Sequence, residues 1–130
     1  MKNKLPIPFL VTAGILLVVS PSSAHHGTSG YDMEKVITLN GTVTSFNWSN
    51  PHCLVHIDVK DSKGDVKDWI VELAAPTLMA RNGWTKDSLK PGDDVTAETH
   101  PAKNGATTGL SGASTSVLKF VVNGHALPFH

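Results

Sequence analysis

Phe46-Asn47-Trp48-Ser49-Asn50-Pro51-His52 is the stretch on which the fold turns. Ahead of it, Ile37, Leu39, Gly41 and Val43 alternate with Thr38, Asn40, Thr42 and Thr44, the period of a half-buried strand. Phe46 and Trp48 then fall one step out of phase. Such a slip beside Gly41 and Ser45 predicts a bulge that bends a long first strand so that it serves two sheets. Pro51 cannot donate to a ladder and holds Asn50 extended, so Ser49-Asn50-Pro51 is expected to join strands one and two.

Working outward, residues 52–60 place Cys53, Val55, Ile57 and Val59 on one face and Leu54, His56, Asp58 and Lys60 on the other. Asp61-Ser62-Lys63-Gly64-Asp65 is turn chemistry, and a third strand follows over residues 66–73 with Trp69, Val71 and Leu73 in phase. Pro76 suits a first helical position, Leu78, Met79 and Ala80 favour helix, and Gly83 stops it, which predicts one short helix. Lys90-Pro91-Gly92-Asp93 leads into a fourth strand that carries Val95, Ala97 and Thr99 and ends at Pro101. Residues 104–112, with three glycines, read as a long mobile loop, residues 113–122 as a fifth strand, and Asn123-Gly124 as a turn. The expected class is mainly β: a five-stranded antiparallel OB-like barrel or small sandwich, with one short helix between strands three and four.

Met1-Lys2-Asn3-Lys4, an apolar run over residues 9–19 and Pro21-Ser22-Ser23-Ala24 have the composition of a secretory signal peptide cleaved after Ala24. The run is shorter than the roughly 18 residues of a membrane span, so no stable membrane insertion is expected after cleavage. The expected organisation is a signal at 1–24, a flexible arm at 25–34 and one β domain at 35–130, with the periplasm as destination. Loss of Lys2 and Lys4 takes the 11 basic residues to 9 against 11 acidic ones. That balance argues against nucleic acid, whose binders carry a clustered basic face. Cys53 is the single cysteine, so no internal disulfide can form, and its phase makes it a core residue.

Processing creates the sharpest chemical feature. His25 would become the mature N-terminus, with a free amine and an imidazole on one residue that can chelate copper(II) when a second imidazole approaches. His26, His52 and His100 are the further candidate metal ligands, the last two at strand ends beside prolines. A copper(I) arrangement would instead use Met33 or Met79 under Trp48 or Trp84. The metal-free alternative is a periplasmic interaction or small-ligand protein whose mouth is formed by Trp48, Asn50, His52 and Trp84. No phosphate loop, nucleophile elbow or metalloprotease motif occurs, and Asp68 and Glu72, which share an outward face, read as solvated surface. No catalytic residue is assigned, and the unknown partner is a periplasmic protein or small ligand.

The Ala24-His25-His26-Gly27 start, the Gly41-Thr42-Val43 lead into the Asn50-Pro51-His52 junction, Trp69-Ile70-Val71-Glu72, Arg81-Asn82-Gly83-Trp84, Leu89-Lys90-Pro91-Gly92-Asp93 and His100-Pro101 together resemble a family of small exported bacterial proteins classed as a domain of unknown function. The resemblance covers the mature chain and implies export and a small β-rich fold, with no activity attached. In class only, the chain is also similar to small periplasmic copper carriers. It lacks the close Met-x-Met pair of the OB-fold type, and it differs in length and strand pattern from the β-sandwich type.

Overall fold

A computed structural model of the chain describes residues 27–112 and 118–128. The expected signal peptide, His25 and His26 lie outside the described residues. Seven strands and one helix follow in the order β1 (Ile37–Asn47), β2 (Leu54–Lys60), β3 (Val66–Glu72), α1 (Pro76–Arg81), β4 (Asp94–Pro101), β5 (Thr108–Leu110), β6 (Phe120–Val122) and β7 (His125–Leu127). The sheet runs β1-β2-β3-β5-β4, and β1 pairs with β4 to close it. This is a five-stranded OB-type barrel, with β3 and β5 parallel and the other neighbours antiparallel.

The bent first strand is what permits closure. Its register against β2 shifts between Val43 and Ser45, so Val43 faces Ile57 whereas Phe46 faces Val55, and Thr44 is the extra residue. Before the bulge β1 pairs with β4 over Ile37 to Thr42, and after it only with β2. Gly41 is required where β1 crosses closely over β2, because a side chain there would run into the carbonyl of Asp58. The Asn50–Pro51 peptide of the connection is cis.

Leu39, Val43, Val55, Ile57, Val71, Val95, Ala97 and Phe120 fill the barrel, with Cys53 fully buried among them. Met79 of α1 belongs to the same core. Trp84 joins it from the turn after the helix, between Phe46 (centroids 6.3 Å apart) and Phe120 (5.3 Å, edge-on). Its indole N–H donates to the Pro128 carbonyl.

The fifth strand departs from expectation. Residues 104–112 are not one loop: Thr108, Gly109 and Leu110 pair with β3 on one side and, through Gly109 and Leu110, with the end of β4 on the other. Among the described residues, the other piece of the fifth barrel strand is β6, which pairs with the start of β4, so that strand is in two pieces, β5 and β6. Residues 113–117 of the strand expected at 113–122 lie outside the described residues. Asn123 and Gly124, both at positive φ, turn β6 into β7.

Candidate functional site

The arm does not lie free over its described part. Tyr31 forms a β-bridge with Ala102, the Asp32 N–H donates to the Pro101 carbonyl, and the Lys103 N–H donates to the Gly30 carbonyl. These bonds carry the arm across the outer face of the barrel, where Glu72, Leu110 and His100 stand side by side on β3, β5 and β4.

Glu72 is the centre of the site. One carboxylate oxygen lies 2.6 Å from Nδ1 of His52, and the other accepts a hydrogen bond from the Tyr31 hydroxyl at 3.3 Å. The local sequence explains the meeting. Cys53 and Leu73 point inward, with the Leu73 N–H donating to the Cys53 carbonyl and the Cys53 N–H to the Ala74 carbonyl, so His52 and Glu72, next to them in sequence, both point outward. Burial, and after it the negative charge of Glu72, push the Tyr31 phenol above its ordinary value. Nδ1 of His52 is engaged by Glu72, which leaves Nε2 as the ring nitrogen open to a ligand, and the side chain is 45% exposed.

A pocket of about 200 Å³ opens beside this pair. Its walls are apolar, from Leu73, Ala74, Ala75, Leu78 and Leu110; His52 and Glu72 form a polar end, and Gly27 and Thr28 of the arm close one side. The first described residue of the arm, Gly27, therefore lines the same pocket as His52, two residues ahead of β2.

The other expected site residues separate from this centre. His100 is not at an open mouth: it is 1% exposed, with Nδ1–H donating to the Lys35 carbonyl at 2.8 Å. Its Nε2 is buried without a hydrogen-bond partner, and Leu110 stands in the row between it and Glu72. Its outward phase was legible in the sequence, but the arm covers that face, and His52 and His100 do not converge. Trp84 is no part of a mouth either, because it is core. Trp48 is half-buried, edge-on to Phe46 at 5.9 Å, and Asn50 is exposed, and neither lines the pocket at His52. Met79 is buried, which removes it as a sulfur ligand. Among the described residues no group of three or more His, Cys, Asp or Glu is arranged to hold a metal. Sequence reading missed Glu72, whose signal lay in its phase: it faces Leu54 across the ladder, two residues from His52. No helix among the described residues is long and apolar enough to cross a membrane.

Of the solved structures, the fold is similar to the mitochondrial single-stranded DNA-binding protein Rim1 of S. cerevisiae, at 11% identity and a TM-score of 0.46, over 69% of this chain and 97% of that one. No curated protein matches. The model of a family of unknown function, DUF6152, matches residues 14–113, and the chain belongs to that family.

Proposed function

We propose that this member of the DUF6152 family is an exported periplasmic binding module for copper(II), held by the amine and imidazole of His25 together with Nε2 of His52. The observation that carries the reading is that Gly27 lines the same pocket as His52 and Glu72. Two residues of chain span at most about 7 Å, so a mature N-terminus at His25 is tethered within reach of that pocket. His26 is a further nitrogen donor on the same tether.

The chemistry of the donors supports the ion. Amine and imidazole nitrogens suit copper(II), and an imidazole whose second nitrogen is held by a carboxylate is the usual arrangement of a metal-binding histidine. Glu72 supplies that carboxylate and Tyr31 steadies it. His100 has no part in this set. The processed chain would carry 9 basic against 11 acidic residues, a balance that argues against nucleic acid as partner.

The test is a copper(II) titration of three full-length exported proteins whose N-termini are verified by intact mass: the native one, one with a single glycine ahead of His25, and His52→Ala. Tight one-to-one binding by the native protein, lost in both variants, supports the proposal; equal binding by all three refutes it. A second reading rests on the apolar walls of the pocket. A small ligand with an apolar body and a polar head would lie against Leu78 and Leu110 with its head at His52 and Glu72. In that case His52→Ala leaves copper binding unchanged and weakens ligand capture.

A further inference from the structure

Strand β3 is paired along its whole length with β2, but β5 covers only Ile70, Val71 and Glu72 on its other side. Along a strand, successive residues turn their N–H and C=O groups to opposite sides. The Ile70 N–H bonds Thr107 on the β5 side, and the Glu72 carbonyl accepts from Ser111 there. Val66 and Asp68 have the same parity as Ile70, so their N–H and C=O groups face the same way, into a seam that no strand fills among the described residues. Val66 is 56% exposed, unusual for a valine in a ladder.

A cavity of about 380 Å³ opens at this end of the barrel. Trp69, Ile37 and Pro101 give it an apolar lining, and Gly105 and Ala106 belong to the loop that peels away from β3. Lys35 and Lys103 stand on its wall against one carboxylate, Asp32. Of the carboxylates near the strand, Asp68 pairs with His56 at 3.1 Å and Asp61 with Lys67 at 3.8 Å, while Asp58 faces Asp68 across the ladder; the Lys103 ammonium also donates to the Ser29 carbonyl at 3.0 Å. A half-paired strand, free backbone donors and acceptors, an apolar cavity and two lysines on the cavity wall thus coincide.

We infer that the free edge of β3 at Val66 and Asp68, with the Trp69 cavity beside it, is a strand-addition site for an extended acidic segment of a partner protein. The segment's main chain pairs with Val66 and Asp68, an apolar side chain enters against Trp69 and Ile37, and its carboxylates meet Lys35 and Lys103. This site lies apart from His52 and is independent of copper.

The test uses the full-length exported protein and two capped hexapeptides of alternating composition, one Glu-Val and one Lys-Val. Binding is read by amide shifts in two-dimensional NMR and by tryptophan fluorescence. The Glu-Val peptide is expected to bind saturably, moving the Val66 and Asp68 amides and the Trp69 indole, at least tenfold more tightly than the Lys-Val peptide. Val66→Pro removes one edge N–H while leaving the ladder to β2, since that N–H faces away from β2, and is expected to weaken binding at least tenfold. Val66→Thr keeps the N–H and is expected to bind as the native protein does. Lys103→Glu weakens binding several-fold, more at low salt. No saturable binding, equal binding of both peptides, undiminished binding by a folded Val66→Pro protein, or peptide-free dimerisation through the same amides overturns the proposal.

Discussion

Glu72→Gln is the most informative single change at the site, because it keeps the shape of the side chain and removes its charge. In the native protein one carboxylate serves two donors, the His52 ring at 2.6 Å and the Tyr31 hydroxyl at 3.3 Å. Hydrogen bonds to a charged group contribute about 1.5–3 kcal/mol each and neutral ones about 1 kcal/mol. An amide offers one acceptor oxygen and one NH2 donor, so both contacts become neutral and the one at the nitrogen survives only where its partner turns to accept. The exposure of His52 reduces its share, because solvent screens it. A net loss of about 1–2 kcal/mol is expected, which moves the urea midpoint down by roughly 0.5–1.5 M. The loss should be local in origin: amide exchange at Asp32 and Lys103, whose N–H groups anchor the arm, should accelerate before that of Val55 or Val71 in the barrel. An unchanged midpoint together with unchanged exchange at Asp32 and Lys103 would refute the assignment of Glu72 as the clamp between arm and barrel.

Three further outcomes follow from the same geometry. Gly41→Ala should cost more than about 2 kcal/mol in denaturant unfolding, since the added methyl group meets the Asp58 carbonyl and barrel closure leaves no room for retreat. The raised phenol of Tyr31 makes its contribution to stability complete below its ordinary value of 10.0 and lost as pH rises through the higher folded value. An alkaline titration should therefore release the arm above pH 10 in the native protein, whereas Tyr31→Phe removes that transition. Cys53 is fully buried, and burial pushes its thiol up, so a thiol reagent should modify it only at the rate of unfolding.

The barrel was largely legible in the sequence because its strands obey period two. The phase slip after Val43 appears as the β1 bulge, Pro76 as the first residue of α1, and Asn123-Gly124 as the β6–β7 turn. The split fifth strand was hidden by its glycines. Gly109 is small because Thr99 packs against it, and Gly112 because the backbone of Leu73 and Ala74 does, yet in sequence both read as loop flexibility. The site was less legible than the fold, for a physical reason. Strand phase tells in from out, but it cannot tell that an arm will cover one outer face. His100 was read as available and is buried by that covering, and Glu72 was read as solvated and is the shared acceptor of the arm and His52. Trp84 follows a helix stop, where periodicity gives no face, and only the closed barrel shows that it packs between Phe46 and Phe120.

Electron paramagnetic resonance of one equivalent of copper(II) on the processed protein, compared with His52→Gln under the same conditions, tests the proposed function most directly. The expected result is a single species with nitrogen hyperfine structure that loses one imidazole contribution in the variant. Identical spectra from the two proteins, or a mixture of weakly bound species in both, would contradict a site built from His25 and His52.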